Sequence, residues 1–336
     1  MTKRTISRVL ALVALVALAA IVAAGCGGDG RDDESDTAAE TSSAAGGETS
    51  SAQGEDLSGK ISIDGSSTVG PLVTAAAEQF QGDNSGVNVT VGVSGTGGGF
   101  ERFCAGETDL SNASRPIKDD EAALCEKAGV AYSEFQVAND GLAVVVNPDN
   151  DWVECLTVEQ LKKIWSPETA PKSWKDVDPE FPDEQIKLYG PGTDSGTFDY
   201  FTDEINGEEG KSRTDYQAAE DDNVIVQGVG AEKGGLGYFG LSYAEQNSDE
   251  VKLVQVDGGG GCITPSVETV QDGTYKPLGR PLYVYAKNEA FTRPEVKAFV
   301  QYMIDNAVPI AEEALYVPMT DEQVTEAQGK LDEAAA

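Results

Sequence analysis

The chain has 336 residues, of which 40% are hydrophobic, and its formal net charge at neutral pH is −34. This length and composition allow one large domain or two ordinary ones and exclude a chain that is disordered throughout. The acidic balance argues against nucleic acid and anionic lipid as partners. It does not exclude a small anion, because exposed charges more than about 8 Å away are largely screened at physiological salt.

Residues 1–25 have the pattern of a secretory signal peptide. Lys3, Arg4 and Arg8 precede an apolar run at 9–24, which is short for a membrane span and ends in small residues. The ending Ala-Ala-Gly-Cys is similar to the lipobox of bacterial lipoproteins, so Cys26 is predicted to be the lipidated first residue of the mature chain. Ordinary secretion is the alternative.

Residues 26–56 contain no aromatic or bulky aliphatic side chain and many acidic ones. Such a segment cannot bury enough apolar surface to offset chain entropy, so it is predicted to be a flexible acidic tether. The remaining chain has no further apolar run long enough to span a bilayer.

An alternation of strands, glycine-rich turns and helices follows the tether. KISIDG (60–65) predicts a strand, VGPLVTAAAEQF (69–80) a helix, VNVTVGVSG (87–95) a strand, GGFERFCAGE (98–107) the start of a helix and KDDEAALCEKAG (118–129) another helix. This order is typical of an α/β fold with a mainly parallel sheet.

A second set of elements begins at VANDGLAVVVNPDN (137–150). TVEQLKKIW (157–165), with a capping-box pattern at Thr157 and Gln160, and SGTFDYFTDEI (195–205) predict helices, and RPLYVYA (280–286) predicts a returning strand. Helices are also predicted at 293–307 and 320–334. Two lobes joined by strand-like crossovers are the simplest account, with lobe 1 at 57–141 and 280–336 and lobe 2 at 142–279.

Four cysteines remain if Cys26 carries lipid, and an even number in an exported chain predicts two disulfides. Three pairings are possible, and the one favoured here joins Cys104 to Cys125 and Cys155 to Cys262; four free thiols are the alternative. The chain has no histidine and no CxxC pair, so no zinc site is expected.

Three turns have the composition of anion sites: DGSSTVGP, SGTGGGF and GTDSGTF. Each precedes a predicted helix, whose first N–H groups are unpaired and carry partial positive charge, and glycine lets a ligand approach the backbone. A plain N-cap explains any single one of them. None has the Gly-Lys-Ser/Thr ending of a P-loop, so nucleotide hydrolysis is not predicted.

The segment TDLSNASRP supplies charged groups. Arg115 offers a planar set of donors suited to phosphate or carboxylate, and Asp109 offers an acceptor. A surface ion pair is the alternative role for Arg115.

Six segments together resemble the PstS family of phosphate-binding proteins, and its SphX-type branch in particular: IDGSSTVGPL, VGVSGTGGGFERFCAGETDLSNASRPI, LTVEQLKKIW, DSGTFDYF, GGLGYFG and RPLYVYA. The resemblance implies a two-lobed type II periplasmic-binding-protein fold, each lobe a mainly parallel sheet flanked by helices. It also implies a monomeric, lipid-anchored protein outside the cell membrane that captures inorganic phosphate between its lobes for the permease of an ABC importer, without a cofactor.

The resemblance also implies a set of phosphate ligands, with a one-residue slip open at SGTGGG. They are Ser67, Thr68, Ser94, Thr96, Gly97, Asp109, Ser114, Arg115, Ser195, Gly196 and Thr197. Some family members carry an arginine four residues before the Ser-Gly-Thr triplet, where this chain has Pro191, which leaves Arg115 as the cation. Asp140 is the second candidate for the acceptor.

Three other functions were weighed. The ligand of such a site could be another tetrahedral oxyanion, such as sulfate or molybdate. The fold could serve a surface adhesin or a signalling lipoprotein. A phosphatase is not predicted, because the chain has no histidine to activate Ser195 and no Ser-x-x-Lys pattern at that residue.

Overall fold

A computed structural model describes residues 57–336. The predicted signal peptide, Cys26 and the tether lie outside the described residues. The strands are β1 (Ser58–Gly65), β2 (Gly86–Val91), β3 (Leu110–Ala113), β4 (Tyr132–Val146), β5 (Cys155–Thr157), β6 (Lys187–Gly190), β7 (Gln217–Ala218), β8 (Gly235–Gly240), β9 (Lys252–Leu253), β10 (Gln255–Asp257), β11 (Cys262–Ile263) and β12 (Gly279–Lys287).

The α-helices are α1 (Gly70–Asp83), α2 (Gly95–Cys104), α3 (Asp119–Ala128), α4 (Val158–Trp165), α5 (Trp174–Val177), α6 (Gly196–Phe201), α7 (Asp222–Ala231), α8 (Leu241–Gln246), α9 (Val267–Gln271), α10 (Pro294–Asp305), α11 (Ala307–Glu313) and α12 (Asp321–Ala334). A π-helix at Thr202–Asn206 continues α6, and a 3₁₀ helix at Asn288–Thr292 precedes α10.

Local sequence signals explain where several helices begin. Pro71 lies in the first turn of α1, where its missing N–H costs nothing. The predicted capping box of α4 is confirmed: the backbone N–H of Gln160 donates to Thr157 Oγ1 at 3.1 Å, and the N–H of Thr157 donates to Gln160 Oε1 at 3.0 Å.

Nine of the strands form one mixed sheet with the order β2-β1-β3-β12-β4-β8-β6-β7, and β9 also pairs with β4. Pairing is parallel at both ends of this sheet, between β1 and its two neighbours and between β6 and its two neighbours. The central pairs β3–β12, β12–β4 and β4–β8 are antiparallel. The parallel strands therefore belong to two separate groups that the long strands β4 and β12 connect.

The apolar core follows the same division. One large cluster contains Leu142–Val146 of β4, many buried apolar residues between Val153 and Leu278, and Val317. A second contains residues of β1, α1 and β2, together with Phe135 of β4 and Leu282 of β12. Strand β4 thus contributes to one cluster before Asp140 and to the other after it. The exact lobe boundaries at 141/142 and 279/280 stay a prediction.

Two disulfides fasten parts of the fold, with the pairing favoured from the sequence. Cys104 is joined to Cys125 across 21 residues and connects α2 to α3. Cys155 is joined to Cys262 across 107 residues and connects the outer strands of a small sheet with the order β11-β10-β5. No helix within residues 57–336 is long and apolar enough to cross a membrane.

Candidate functional site

A polar cavity of about 140 Å³ lies where the turn after β1, the start of α2 and the start of α6 meet. A site for a single water needs only about 10–15 Å³ on the same scale, so the volume suits a small polyatomic ion with some water. We call it the anion cavity. Its lining residues are Ser66, Ser67, Thr68, Gly95, Thr96, Gly97, Ser114, Arg115, Lys118, Gly196, Asp199, Tyr200, Asp203, Glu204, Glu209 and Arg280.

Two of the longer helices begin at the wall of this cavity. The turn Ser66–Thr68 leads into α1, and Gly95–Gly97 are the first three residues of α2. The first N–H groups of a helix have no partner within it and carry partial positive charge, so both helix starts favour an anion. Hydroxyl groups add to these donors: Thr96 Oγ1 and Ser114 Oγ lie 3.0 Å apart and hydrogen-bond to each other.

The start of α6 lies directly against the first turn. A Cβ atom on Gly196 would come within 2.8 Å of both the backbone N and the Oγ1 of Thr68, so only glycine permits this approach. The hydroxyl of Thr68 donates to the carbonyl oxygen of Gly196 at 3.4 Å. Residues 128 positions apart in the chain therefore form one continuous wall.

Arg115 is held by a carboxylate behind it. Its Nη1 and Nη2 donate to the two carboxylate oxygens of Glu121 at 2.8 and 2.7 Å, and its guanidinium lies 5.9 Å from the centre of the Phe100 ring. This is the paired geometry that arginine forms best with a carboxylate. The hydrogen bonds to Glu121 and its charge raise the pKa of Arg115, so the guanidinium stays charged beside the cavity.

Comparison with known proteins gives one consistent result. A family model described as a PBP superfamily domain matches residues 40–307. Protein SphX of Synechococcus elongatus is 46% identical over 270 residues, which are 80% of each chain, and the phosphate-binding protein PstS of Staphylococcus saprophyticus is 44% identical over 290 residues, 86% of this chain and 88% of the relative. The chain belongs to the PstS and SphX family of phosphate-binding proteins. A crystal structure of a possible phosphate binding protein from Planctomyces limnophilus, 43% identical, matches with a TM-score of 0.80 over 83% of this chain and all of the other.

Seven of the eleven residues that the PstS resemblance implied as ligands line the anion cavity: Ser67, Thr68, Thr96, Gly97, Ser114, Arg115 and Gly196. Three others lie beside it without lining it. Ser195 is the N-cap of α6, where its Oγ accepts from the N–H of Thr197 at 3.2 Å. Ser94 donates to Asp64 Oδ1 at 2.6 Å. Ser195 thus acts as a plain helix cap, whereas the Ser94 hydroxyl makes no capping hydrogen bond and donates to Asp64 instead.

Asp109, which was expected to face the ligand, is not among the residues that line the cavity. Its Oδ2 accepts from the backbone N–H of Ser62 at 2.9 Å, and its Oδ1 is paired with Arg293 at 2.6 Å. The reason is its place in the sheet. Asp109 precedes β3 whereas Ser114 follows it, so the two lie at opposite ends of the same strand, about 16 Å apart at the usual rise.

Asp140, the second candidate acceptor, does not line the cavity either. It is 6% exposed, and its Oδ2 accepts from Nε and Nη2 of Arg280, each at 3.3 Å. Burial raises the pKa of Asp140, although the charge of Arg280 acts in the opposite direction. The carboxylate is thus a partner of an arginine and is separated from the ligand space.

Several lining residues of this PstS-type site were not singled out from the sequence: Lys118, Asp199, Tyr200, Asp203, Glu204, Glu209 and Arg280. The sequence did contain a signal for Arg280. It is a charged residue at the start of the apolar strand RPLYVYA, and such residues are seldom buried unless they are paired. Asp199 accepts from Ser67 Oγ at 3.2 Å. Burial raises its pKa, while Ser67 and Arg280 lower it. Among residues 57–336, no group of three or more His, Cys, Asp or Glu side chains has the arrangement of a metal site.

Proposed function

We propose that the protein captures inorganic phosphate in the anion cavity, between its two lobes, and delivers it to the membrane permease of an ABC importer. One observation carries the proposal. Two helix starts, five serine and threonine side chains and two arginines converge on one small cavity in a member of the PstS and SphX family. Backbone donors and guanidinium groups are the groups that bind a phosphate oxyanion.

The proposed ligands are the predicted residues that line the cavity. Ser67, Thr68, Thr96 and Ser114 offer hydroxyl groups, while Gly97 and Gly196 offer backbone at close range, and Arg115 offers charge. The interior donors decide binding in spite of the net charge of −34, because distant surface charges are screened.

Asp199 replaces Asp109 as the proposed acceptor of the proton that phosphate carries at neutral pH. Asp199 lines the cavity and is only partly exposed, whereas Asp109 is occupied by Arg293. An ionised carboxylate accepts a hydrogen bond from protonated phosphate but faces a bare oxygen of sulfate, which it repels. Sites built to pair one polar group reject an analogue that lacks it by roughly 10⁴-fold or more.

The setting that we propose is the outer face of the cell membrane. Cys26 carries the lipid, residues 26–56 act as the acidic tether, and the folded part is a monomer that moves near the permease. We propose no enzymatic activity, because a chain without histidine offers Ser195 no ordinary base. Release of phosphate from an ester by the purified protein, above the contaminant level, contradicts this part of the proposal.

A calorimetric titration of ligand-stripped protein tests the function. Phosphate, arsenate, sulfate and molybdate are added separately to the full mature chain. We expect tight binding of phosphate, competition by arsenate, which also carries a proton, and much weaker binding of the other two. Sulfate or molybdate bound as tightly as phosphate points instead to a general oxyanion-binding protein. The absence of binding by all four contradicts the assignment.

A further inference from the structure

Arg280 lies where the two lobes join. It belongs to β12 and is paired in register with Asp140 of β4. Leu278, two residues before it, packs in one core cluster, and Leu282, two residues after it, packs in the other. The side chain of Arg280 lines the anion cavity with 15% of its surface exposed. The positive charge of Arg280 therefore lines the cavity at the point where the two core clusters meet.

The guanidinium of Arg280 already contacts both walls. Its Nη2 donates to Thr68 Oγ1 at 3.0 Å, in the turn before α1. Its Cζ lies 3.3 Å from the centre of the Tyr200 ring in α6. The Tyr200 hydroxyl is fixed in turn, since it donates to the carbonyl oxygen of Pro277 at 2.6 Å. Stacking on an aromatic face and a hydrogen bond in the guanidinium plane together define the orientation of the group.

The two arginines of the cavity differ in how firmly a carboxylate holds them. Arg115 makes two short bonds to the two oxygens of Glu121, at 2.7 and 2.8 Å. Arg280 makes two bonds of 3.3 Å to a single oxygen of Asp140, longer than the 2.7–2.9 Å typical of charge-assisted pairs. Within residues 57–336, Nη1 of Arg280 makes no hydrogen bond. Arg280 thus keeps more of its donor capacity for a ligand than Arg115 does.

We propose that Arg280 is an anion-binding residue of this site, positioned by Tyr200 and Thr68, and that it is the stronger of the two cavity arginines toward the ligand. The inference rests on the proposed function, since phosphate is the anion in question. In this inference the main positive charge toward the ligand comes from Arg280, which lies 165 positions after Arg115 in the chain. Because the guanidinium touches both walls, an anion bound to it also favours the arrangement in which both walls are near.

Calorimetric titration with phosphate of the full mature chain and three variants tests the assignment. We expect Arg280→Gln to weaken phosphate and arsenate together, by about 30-fold or more, the size of a lost charged hydrogen bond. Arg280→Lys keeps the charge but loses the planar stack, so its affinity should fall between those of Arg280→Gln and the parent. Arg293→Gln is the matched control, because it removes an arginine paired with Asp109 away from the cavity, and it should bind as the parent does.

Removal of Arg280 leaves Asp140 buried without its partner, so a weakened variant could be one that folds poorly. The variant Asp140→Asn/Arg280→Gln removes both charges and is compared with Asp140→Asn alone. We expect the double variant to unfold cooperatively without ligand yet to bind phosphate as weakly as Arg280→Gln. Asp140→Asn should bind at least as tightly as the parent, since it frees Arg280 and removes a negative charge.

The outcomes separate the inference from the function on which it rests. If the parent binds phosphate and Arg280→Gln binds it equally well, the assignment of Arg280 is wrong while the proposed function stands. The same holds if Asp140→Asn abolishes binding and Arg280→Gln does not. If the parent binds no phosphate, the proposed function fails and this inference fails with it.

Discussion

The hydroxyl of Ser67 donates to Oδ2 of Asp199 at 3.2 Å, across 132 residues of chain and across the anion cavity. This contact joins the turn before α1 to the first turn of α6, and it places Asp199 at a wall of the cavity that Asp203, Glu204 and Glu209 also line. We propose that Asp199 distinguishes one oxyanion from another, because it contacts Ser67 in the facing turn.

We expect Asp199→Asn to narrow the preference for phosphate over sulfate, since an amide can donate to sulfate and removes the negative charge. Titration of both anions into parent and variant measures the ratio. Asp109→Asn, which changes a carboxylate paired with Arg293, is the control and should leave the ratio unchanged. A ratio that falls in Asp109→Asn and not in Asp199→Asn contradicts the assignment of the acceptor.

The same carboxylate makes selectivity depend on pH. Burial raises the pKa of Asp199, so it gains its proton at a higher pH than an ordinary aspartate does. A protonated Asp199 no longer accepts from phosphate or repels sulfate. The preference should therefore shrink as the pH falls, beginning at a higher pH than an ordinary aspartate would give, and it should shrink far less in Asp199→Asn. Parallel titrations at several pH values provide the measurement.

Arg115→Ala should weaken phosphate, arsenate and sulfate by a similar factor, because a guanidinium beside the cavity attracts every oxyanion. The loss should be smaller than for Arg280→Gln, since Glu121 already occupies both Nη atoms. The variant Arg115→Ala/Glu121→Gln avoids an unpaired carboxylate and controls for folding. If Arg115→Ala loses phosphate binding but still binds sulfate as the parent does, the prediction of a similar loss for every oxyanion is wrong.

The two disulfides should differ in their effect on stability. In the chain-entropy model, the stabilisation grows with the logarithm of the loop length, and the loops here span 107 and 21 residues. Replacing Cys155 and Cys262 with alanine should cost about 4–5 kcal/mol, and replacing Cys104 and Cys125 about 3 kcal/mol. Urea unfolding of both double variants measures the difference. A thiol count on the denatured, unreduced mature domain should give none.

Asp222 should make the free energy of unfolding fall as the pH rises from about 4 to about 6. Burial, together with the neighbouring charge of Asp221, raises its pKa to about 6, so in this window the folded chain holds a proton that the unfolded chain has released. Above about pH 6, Asp222 is ionised in the folded chain, and the folded chain is then less stable than when Asp222 is protonated. Asp222→Asn should stabilise the fold at pH 7 by on the order of 1 kcal/mol and have no effect near pH 3. The exposed Asp249→Asn is the control.

Cys26→Ala should release the protein from the membrane without harm to the fold, because we propose that the lipid on Cys26 anchors the chain and that the tether separates this lipid from the folded part. Cell fractionation followed by a salt wash measures where the variant goes, and thermal unfolding compares its fold with that of the parent. A variant that stays in the membrane fraction after the wash contradicts the predicted lipidation.

Sequence by itself determined the local features of this protein. The alternation of apolar residues predicted β1 and β12, and the pattern Thr157-x-x-Gln160 predicted the start of α4. The glycine and hydroxyl turns marked three helix starts as candidates for an anion site, and residues of all three line the same cavity. Such signals are readable because strand, cap and turn preferences depend on residues a few positions apart.

Only the tertiary structure decided which side chains line the cavity. Asp109 and Ser114 belong to one short segment, yet the extended strand β3 between them places them at its opposite ends. Arg280 entered the cavity through the antiparallel pairing of β12 with β4, and Asp199 through the approach of Gly196 to Thr68. The reason is that contacts between residues more than a hundred positions apart depend on strand order and on which end of a strand a residue occupies, and local preferences contain neither.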